Sequence, residues 1–210
     1  MTPREAIRGF YAVLDRDDEA LARALLASGA RVLQLRIKPE RPATAGELVR
    51  AGRMARRLCT EHGAALIIND RIDVAHAVGA DGVHLGQTDL PLEVAREIAG
   101  PLWIGISTHD LAQVRAARDG GADYLGYGPV FATSTKRNPD AVQGVAALAA
   151  AVAEAGGIPV VGIGGINPAH AAAVYAAGAA AICAISSVTG AADVTAAGRS
   201  FSKIANDSSM

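Results

Sequence analysis

The sequence predicts a (β/α)8 barrel, a closed ring of parallel strands each followed by a helix, and three observations carry that expectation. Short β-rich runs alternate along the chain with Ala-rich helical segments, the order of βαβ units. The runs are apolar almost without interruption, which suits strands covered on both faces. A glycine recurs just past the helical segments, at Gly29, Gly63, Gly79, Gly100, Gly121, Gly157 and Gly178, where a left-handed residue can close a helix before the next strand. Eight such units in 210 residues fit a small barrel, read as one domain over 1–210. A doubly wound open sheet is the competing arrangement.

In order, the strands fall at 9–15 (GFYAVLD), 31–36 (RVLQLR), 65–69 (ALIIN), 82–86 (GVHLG), 102–107 (LWIGIS), 124–130 (YLGYGPV), 158–164 (IPVVGIG) and 180–186 (AAICAIS). Helical composition covers 18–28, 44–62, 109–119, 144–156, 168–177 and 191–205, and shorter helices are expected near 72–78 and 91–99. Half of the residues are hydrophobic (50%) and 4% aromatic, enough apolar mass for one sizeable core. A net charge of -1 points to neither nucleic acid nor an anionic membrane surface, so any positive site must be local. Cys59 and Cys183 lack the spacing of a redox or zinc motif and read as buried free thiols. No apolar run reaches the roughly 18–20 residues of a membrane span, and the opening MTPREAIRGF has no signal-peptide core, so a cytoplasmic protein is expected. Homo-oligomerisation remains compatible with this composition.

A barrel of this type carries its chemistry at the C-terminal ends of its strands. The second strand ends LQLRIK, and period-two alternation puts Gln34, Arg36 and Lys38 on one face, with Leu33, Leu35 and Ile37 against the helices. Asn69 and Asp70 stand at the third strand's tip and Asp89 just past the fourth. Neighbouring strands lie about 4.8 Å apart, so these carboxylates could share a Mg²⁺, which accepts one or two protein carboxylates beside water and phosphate oxygens. Capping of the following helices is the alternative for both. Ser107 ends the fifth strand, with Thr108 or Asp110 as a helix cap, and His84 and His109 read as packing or capping residues. The sixth strand leads into VFATSTKRNPD, a long loop in which Thr133, Ser134, Thr135 and Lys136 offer hydroxyls and a mobile cation suited to phosphate. The seventh ends GIGGINP, where Gly164 and Gly165 permit close backbone approach, Asn167 caps and Pro168 opens a helix. The eighth ends at Ile185, Ser186 and Ser187, and the loops after strands seven and eight are the fold's usual phosphate site.

Taken together, QLRIK, IINDR, ADGVHLGQTDLP, GISTH, ADYLGYGPVFATSTK and GIGGI resemble the thiamine-phosphate synthase family, also called thiamine-phosphate pyrophosphorylase, over about residues 9–190. The resemblance implies a barrel enzyme that joins hydroxymethylpyrimidine diphosphate to hydroxyethylthiazole phosphate and releases pyrophosphate by a dissociative, Mg²⁺-assisted substitution. It implies that Gln34, Leu35, Arg36, Ile37, Lys38, Asn69, Ser107 and Lys136 hold the pyrimidine diphosphate, with Arg36, Lys38, Ser107 and Lys136 acting in catalysis. Asp70 and Asp89 match its metal positions, and Thr133, Ser134, Thr135, Gly165, Ile185 and Ser186 match the thiazole phosphate positions. The chain departs from the family at Ile37, usually acidic, and at Thr88 within GQTD. The nearest rival is a thiazole tautomerase of the same superfamily, against which the Asp70, Asp89 and Lys136 set argues; a binding-only sensor is a rival of another class.

Overall fold

The computed structural model describes residues 1–37, 43–133 and 141–207, with side chains as far as Ser202 in the last helix. Lys38, Ser134, Thr135 and Lys136 therefore lie outside the described residues. The strands are β1 (Gly9–Leu14), β2 (Val32–Leu35), β3 (Ala65–Asn69), β4 (Gly82–Leu85), β5 (Trp103–Thr108), β6 (Tyr124–Tyr127), β7 (Val160–Ile163) and β8 (Ala181–Cys183). They pair in chain order, all parallel, and β8 returns to β1 to close the barrel. The open sheet is thereby excluded.

The helices are α1 (Pro3–Ala6), α2 (Glu19–Ala27), α3 (Ala45–His62), α4 (Ile72–Val78), α5 (Leu92–Ala99), α6 (Leu111–Asp119), α7 (Gly144–Glu154), α8 (Pro168–Ala176), α9 (Ser186–Thr189) and α10 (Val194–Asp207). All seven glycines expected to end helices have positive φ, and Gly63 and Gly79 are left-handed C-caps, a conformation that costs glycine little. Among the described residues, no helix is long and apolar enough to cross a membrane.

Two apolar layers follow from strand alternation. Leu33, Leu35, Leu66, Ile68, Leu85, Ile104, Ile106 and Leu125 pack outward against the helices. Tyr11, Val13, Val32, Ala65, Ile67, Tyr124, Val161, Ala181 and Cys183 fill the barrel, and Ala6 and Ile7, at the end of α1, belong to the same cluster. The filling is uneven, because a Cβ on Gly105 would lie 2.1 Å from Tyr124 Cζ. Glycine on β5 thus makes the space that the large Tyr124 ring occupies.

Where strands begin, one device appears twice. Asp81, just before β4, accepts the Leu66 amide at 2.7 Å and the Arg56 guanidinium of α3 at 2.7 Å. Asp123, just before β6, accepts the Ile104 amide at 2.7 Å and Arg96 of α5 at 2.9 Å. Each carboxylate fixes the start of a strand against its neighbour and ties both to a helix. This is the end of the barrel that serves stability rather than chemistry.

Candidate functional site

At the opposite end, the strand tips enclose a cavity of about 540 Å³. Gln34 and Arg36 line it from β2. Gln34 is buried and its Nε2 donates to Tyr11 Oη at 2.9 Å. The Arg36 amide donates to Leu14 O at 2.9 Å, which continues the β1–β2 register past the strand end. Leu35 is buried on the helix side, and Ile37 packs against that same outer core, so neither side chain faces the cavity. Ile37, where the family resemblance implies an acidic residue, thus has its side chain packed away from the mouth.

Asn69, Asp70 and Asp89 line the cavity from β3 and β4. Asp70 has φ 63°, and its amide donates to His84 O at 2.9 Å, which carries the β3–β4 ladder one step beyond Asn69. Asp89 Oδ2 accepts the Gly86 amide at 2.7 Å, closing a short turn whose carboxylate rests above β4. Neither residue caps a helix: α4 has Arg71 and α5 has Pro91 at the N-cap, and neither cap uses a side chain. The capping alternative is therefore overturned. Two hard oxygen donors facing one cavity suit Mg²⁺, while among the described residues no group of three or more His, Cys, Asp or Glu could hold a metal. A softer or more demanding ion is poorly matched by such a pair.

Ser107 faces the cavity at the end of β5, and Gln87 Nε2 donates to its carbonyl at 2.6 Å. Asp110, not Ser107, caps the following helix by accepting the Gln113 amide at 2.8 Å. Thr133 is the last described residue of the β6 loop to line the cavity. That loop starts against the tip of β7, with Val130 N donating to Ile163 O at 2.9 Å and Phe131 N to Gly164 O at 3.0 Å. Gly165 has φ 62°, and a Cβ there would sit 2.2 Å from Ala132 O, so only glycine permits this approach of two backbones. Asn167 caps α8 with Pro168 at its first position, as the sequence suggests. Ile185, Ser186 and Ser187 complete the wall after β8, where Ser187 Oγ donates to Ile166 O at 3.1 Å.

Three residues of the site escape a reading of strand ends. Tyr11, His84 and Tyr124 line the floor. Tyr11 Oη lies 2.9 Å from Tyr124 Oη, His84 Nδ1 lies 3.0 Å from Tyr124 Oη, and His84 Nε2 lies 2.9 Å from Ser107 Oγ. His84 is therefore no capping residue; it links the floor to Ser107. Burial pushes both phenols well above their ordinary range, so they remain protonated. The available signal was alternation: Tyr11 shares a face with Val13, and His84 with Gly82, inside the barrel.

The chain matches the family model described as thiamine monophosphate synthase over residues 10–188. It is 49% identical to the thiamine-phosphate synthase of Moorella thermoacetica over 88% of this chain and 86% of that protein. It is 44% identical to that of Pyrococcus abyssi over 96% of both chains. The solved thiamine phosphate pyrophosphorylase from Pyrococcus furiosus superposes with a TM-score of 0.89 at 40% identity, covering 98% of each chain. The chain belongs to the thiamine monophosphate synthase family and is a transferase of thiamine biosynthesis.

Proposed function

We propose that the protein joins hydroxymethylpyrimidine diphosphate to hydroxyethylthiazole phosphate, forming thiamine phosphate and releasing pyrophosphate. The observation that carries this reading is a single cavity whose two sides present different polar groups, a guanidinium with two carboxylates on one and a glycine turn with a hydroxyl on the other. Arg36, Asp70 and Asp89 stand on the β2–β4 side, and the Gly164–Gly165 turn and Ser186 stand on the β7–β8 side. One mouth thus receives a diphosphate and a monophosphate, and aligns the two substrates between them.

Gln34, Asn69 and Ser107 present polar atoms near the floor, where the pyrimidine would lie with its diphosphate directed toward Arg36. Lys38 and Lys136, from the family resemblance, would add positive charge to the same group. Asp70 and Asp89 would hold Mg²⁺, and the bound ion would neutralise charge on the diphosphate. Thr133, Ser134, Thr135, Gly165, Ile185 and Ser186 would hold the thiazole phosphate. Departure of pyrophosphate before attack by the thiazole nitrogen calls for charge stabilisation and alignment, with no protein nucleophile. The cavity agrees with that demand: Cys183, which lines it, has a thiol that burial pushes up to about 12 and is thus a poor nucleophile at neutral pH.

The test is the coupling assay on purified protein with both phosphorylated precursors and Mg²⁺. Thiamine phosphate and pyrophosphate should appear in equal amounts, and chelation should stop their formation. Folded protein that yields neither product would refute the reading.

A further inference from the structure

The floor of the cavity contains a chain of hydrogen bonds with only one consistent polarity once Gln34 Nε2 donates to Tyr11 Oη. Tyr11 has a single proton, and its other partner is Tyr124 Oη at 2.9 Å, so Tyr11 donates to Tyr124. Tyr124 then has its own proton left for His84 Nδ1 at 3.0 Å. A neutral imidazole that accepts at Nδ1 carries its proton on Nε2, which lies 2.9 Å from Ser107 Oγ. Ser107 accepts that proton, and its hydroxyl hydrogen turns to the cavity. The opposite polarity would leave the Tyr11 proton without an acceptor in a fully buried place, a costly arrangement.

We propose that Tyr124 is a positioning residue: it holds His84 as the Nε2–H tautomer and thereby makes the Ser107 hydroxyl a hydrogen-bond donor to the ligand in the cavity. Burial keeps both tyrosines protonated across the working pH range, so the chain does not reverse through their ionisation. The reach of this device is set by geometry. Tyr124 fits because Gly105 leaves room for its ring, and His84 sits against it with ring centroids 5.4 Å apart. Only the ligand contact made by Ser107 rests on the function proposed above; the tautomer is a property of the protein without substrate.

The experiment is ¹⁵N NMR of the histidine rings in unliganded protein, with the His84 signals assigned by their loss in His84→Gln. Wild-type His84 should be the Nε2–H tautomer. Tyr124→Phe removes the donor to Nδ1 and should give a mixture containing Nδ1–H. Tyr11→Phe removes a hydroxyl of the same size one link away, leaves the Tyr124 proton on its path to His84, and should keep the wild-type tautomer. In the coupling assay, Tyr124→Phe should raise KM for the diphosphate substrate by up to about tenfold, the loss of one neutral hydrogen bond, with a smaller change in kcat. An Nδ1–H tautomer in the wild type, or equal shifts in the two Phe variants, would overturn the proposal whether or not the protein couples the two precursors.

Discussion

Asp70 is the sole non-glycine described residue with φ in the left-handed region, at 63°, and it stands where β3 gives way to α4 beside the cavity. Strain of this kind persists where surrounding bonds over-determine the backbone, here the Asp70 amide on His84 O. Asparagine tolerates the same conformation and matches the shape without the charge. Asp70→Asn should therefore lower turnover by about 10²-fold or more, the scale of losing one electrostatic contact in the transition state, while thermal stability stays close to wild type. A large fall in melting temperature with little loss of turnover would instead assign Asp70 to the backbone turn. At this scale the sequence is informative when a polar residue stands at or next to the end of a strand, as Gln34, Arg36, Asn69 and Ser107 do. Tyr11 and Tyr124 were not legible in this way, because each lies within an apolar run and its role depends on a hydroxyl meeting a partner from across the barrel.

The order and type of the main strands and helices were legible because a glycine marks most helix-to-strand joints, although the runs expected at 124–130, 158–164 and 180–186 overran β6, β7 and β8 and Ser186 opens α9 instead of ending a strand. The strand expected at 65–69 is Ala65–Asn69, and the helices expected near 72–78 and 91–99 are Ile72–Val78 and Leu92–Ala99. The short helices α1 and α9 were not expected, since four residues carry no periodicity to detect. The strand interiors also hold a requirement that apolar patterning conceals. On β5 the inner face must be empty at Gly105, where an added Cβ meets three atoms of the Tyr124 ring within 2.5 Å. Gly105→Ala should destabilise the barrel by about 1–3 kcal/mol through overpacking, measured by urea unfolding, and should also disturb the His84 ring signals. A similar cost, again about 1–3 kcal/mol, is expected for Asp81→Ala, which leaves the Leu66 amide without its acceptor and Arg56 without its partner. If Asp81→Ala were neutral, the repeated aspartate device would be a solvated ornament of the loop and not a tie between strand and helix.

For the molecule as a whole, the buried protonated groups make stability asymmetric in pH. Cys59 and Cys183 are pushed from 9.0 up to about 12 by burial, and Tyr11, Tyr124 and Tyr175 are raised from 10.0 for the same reason. A group whose folded value is raised keeps its protons in the folded chain and loses them in the unfolded one. Its contribution is therefore complete below the unfolded value and disappears as pH rises toward the folded value. Each thiol should steepen the loss by about 1.4 kcal/mol per pH unit above pH 9, with the phenols adding to it above pH 10. On the acid side the sign is opposite. The Leu21 amide lowers Asp18 and the Arg71 guanidinium lowers Asp73, both from 3.8, so their contribution is present above that value and lost as pH falls through the folded one. Both are exposed and solvent-screened, and the acid limb should be shallow. Urea unfolding from pH 3 to 11 should thus give a nearly level plateau between about pH 5 and 9 and a steep alkaline fall. Cys59, fully buried in the outer core, supplies the internal check. Cys59→Ala should lower the plateau but flatten the alkaline limb by one proton's slope, and an unchanged limb would mean that this thiol ionises in the folded protein.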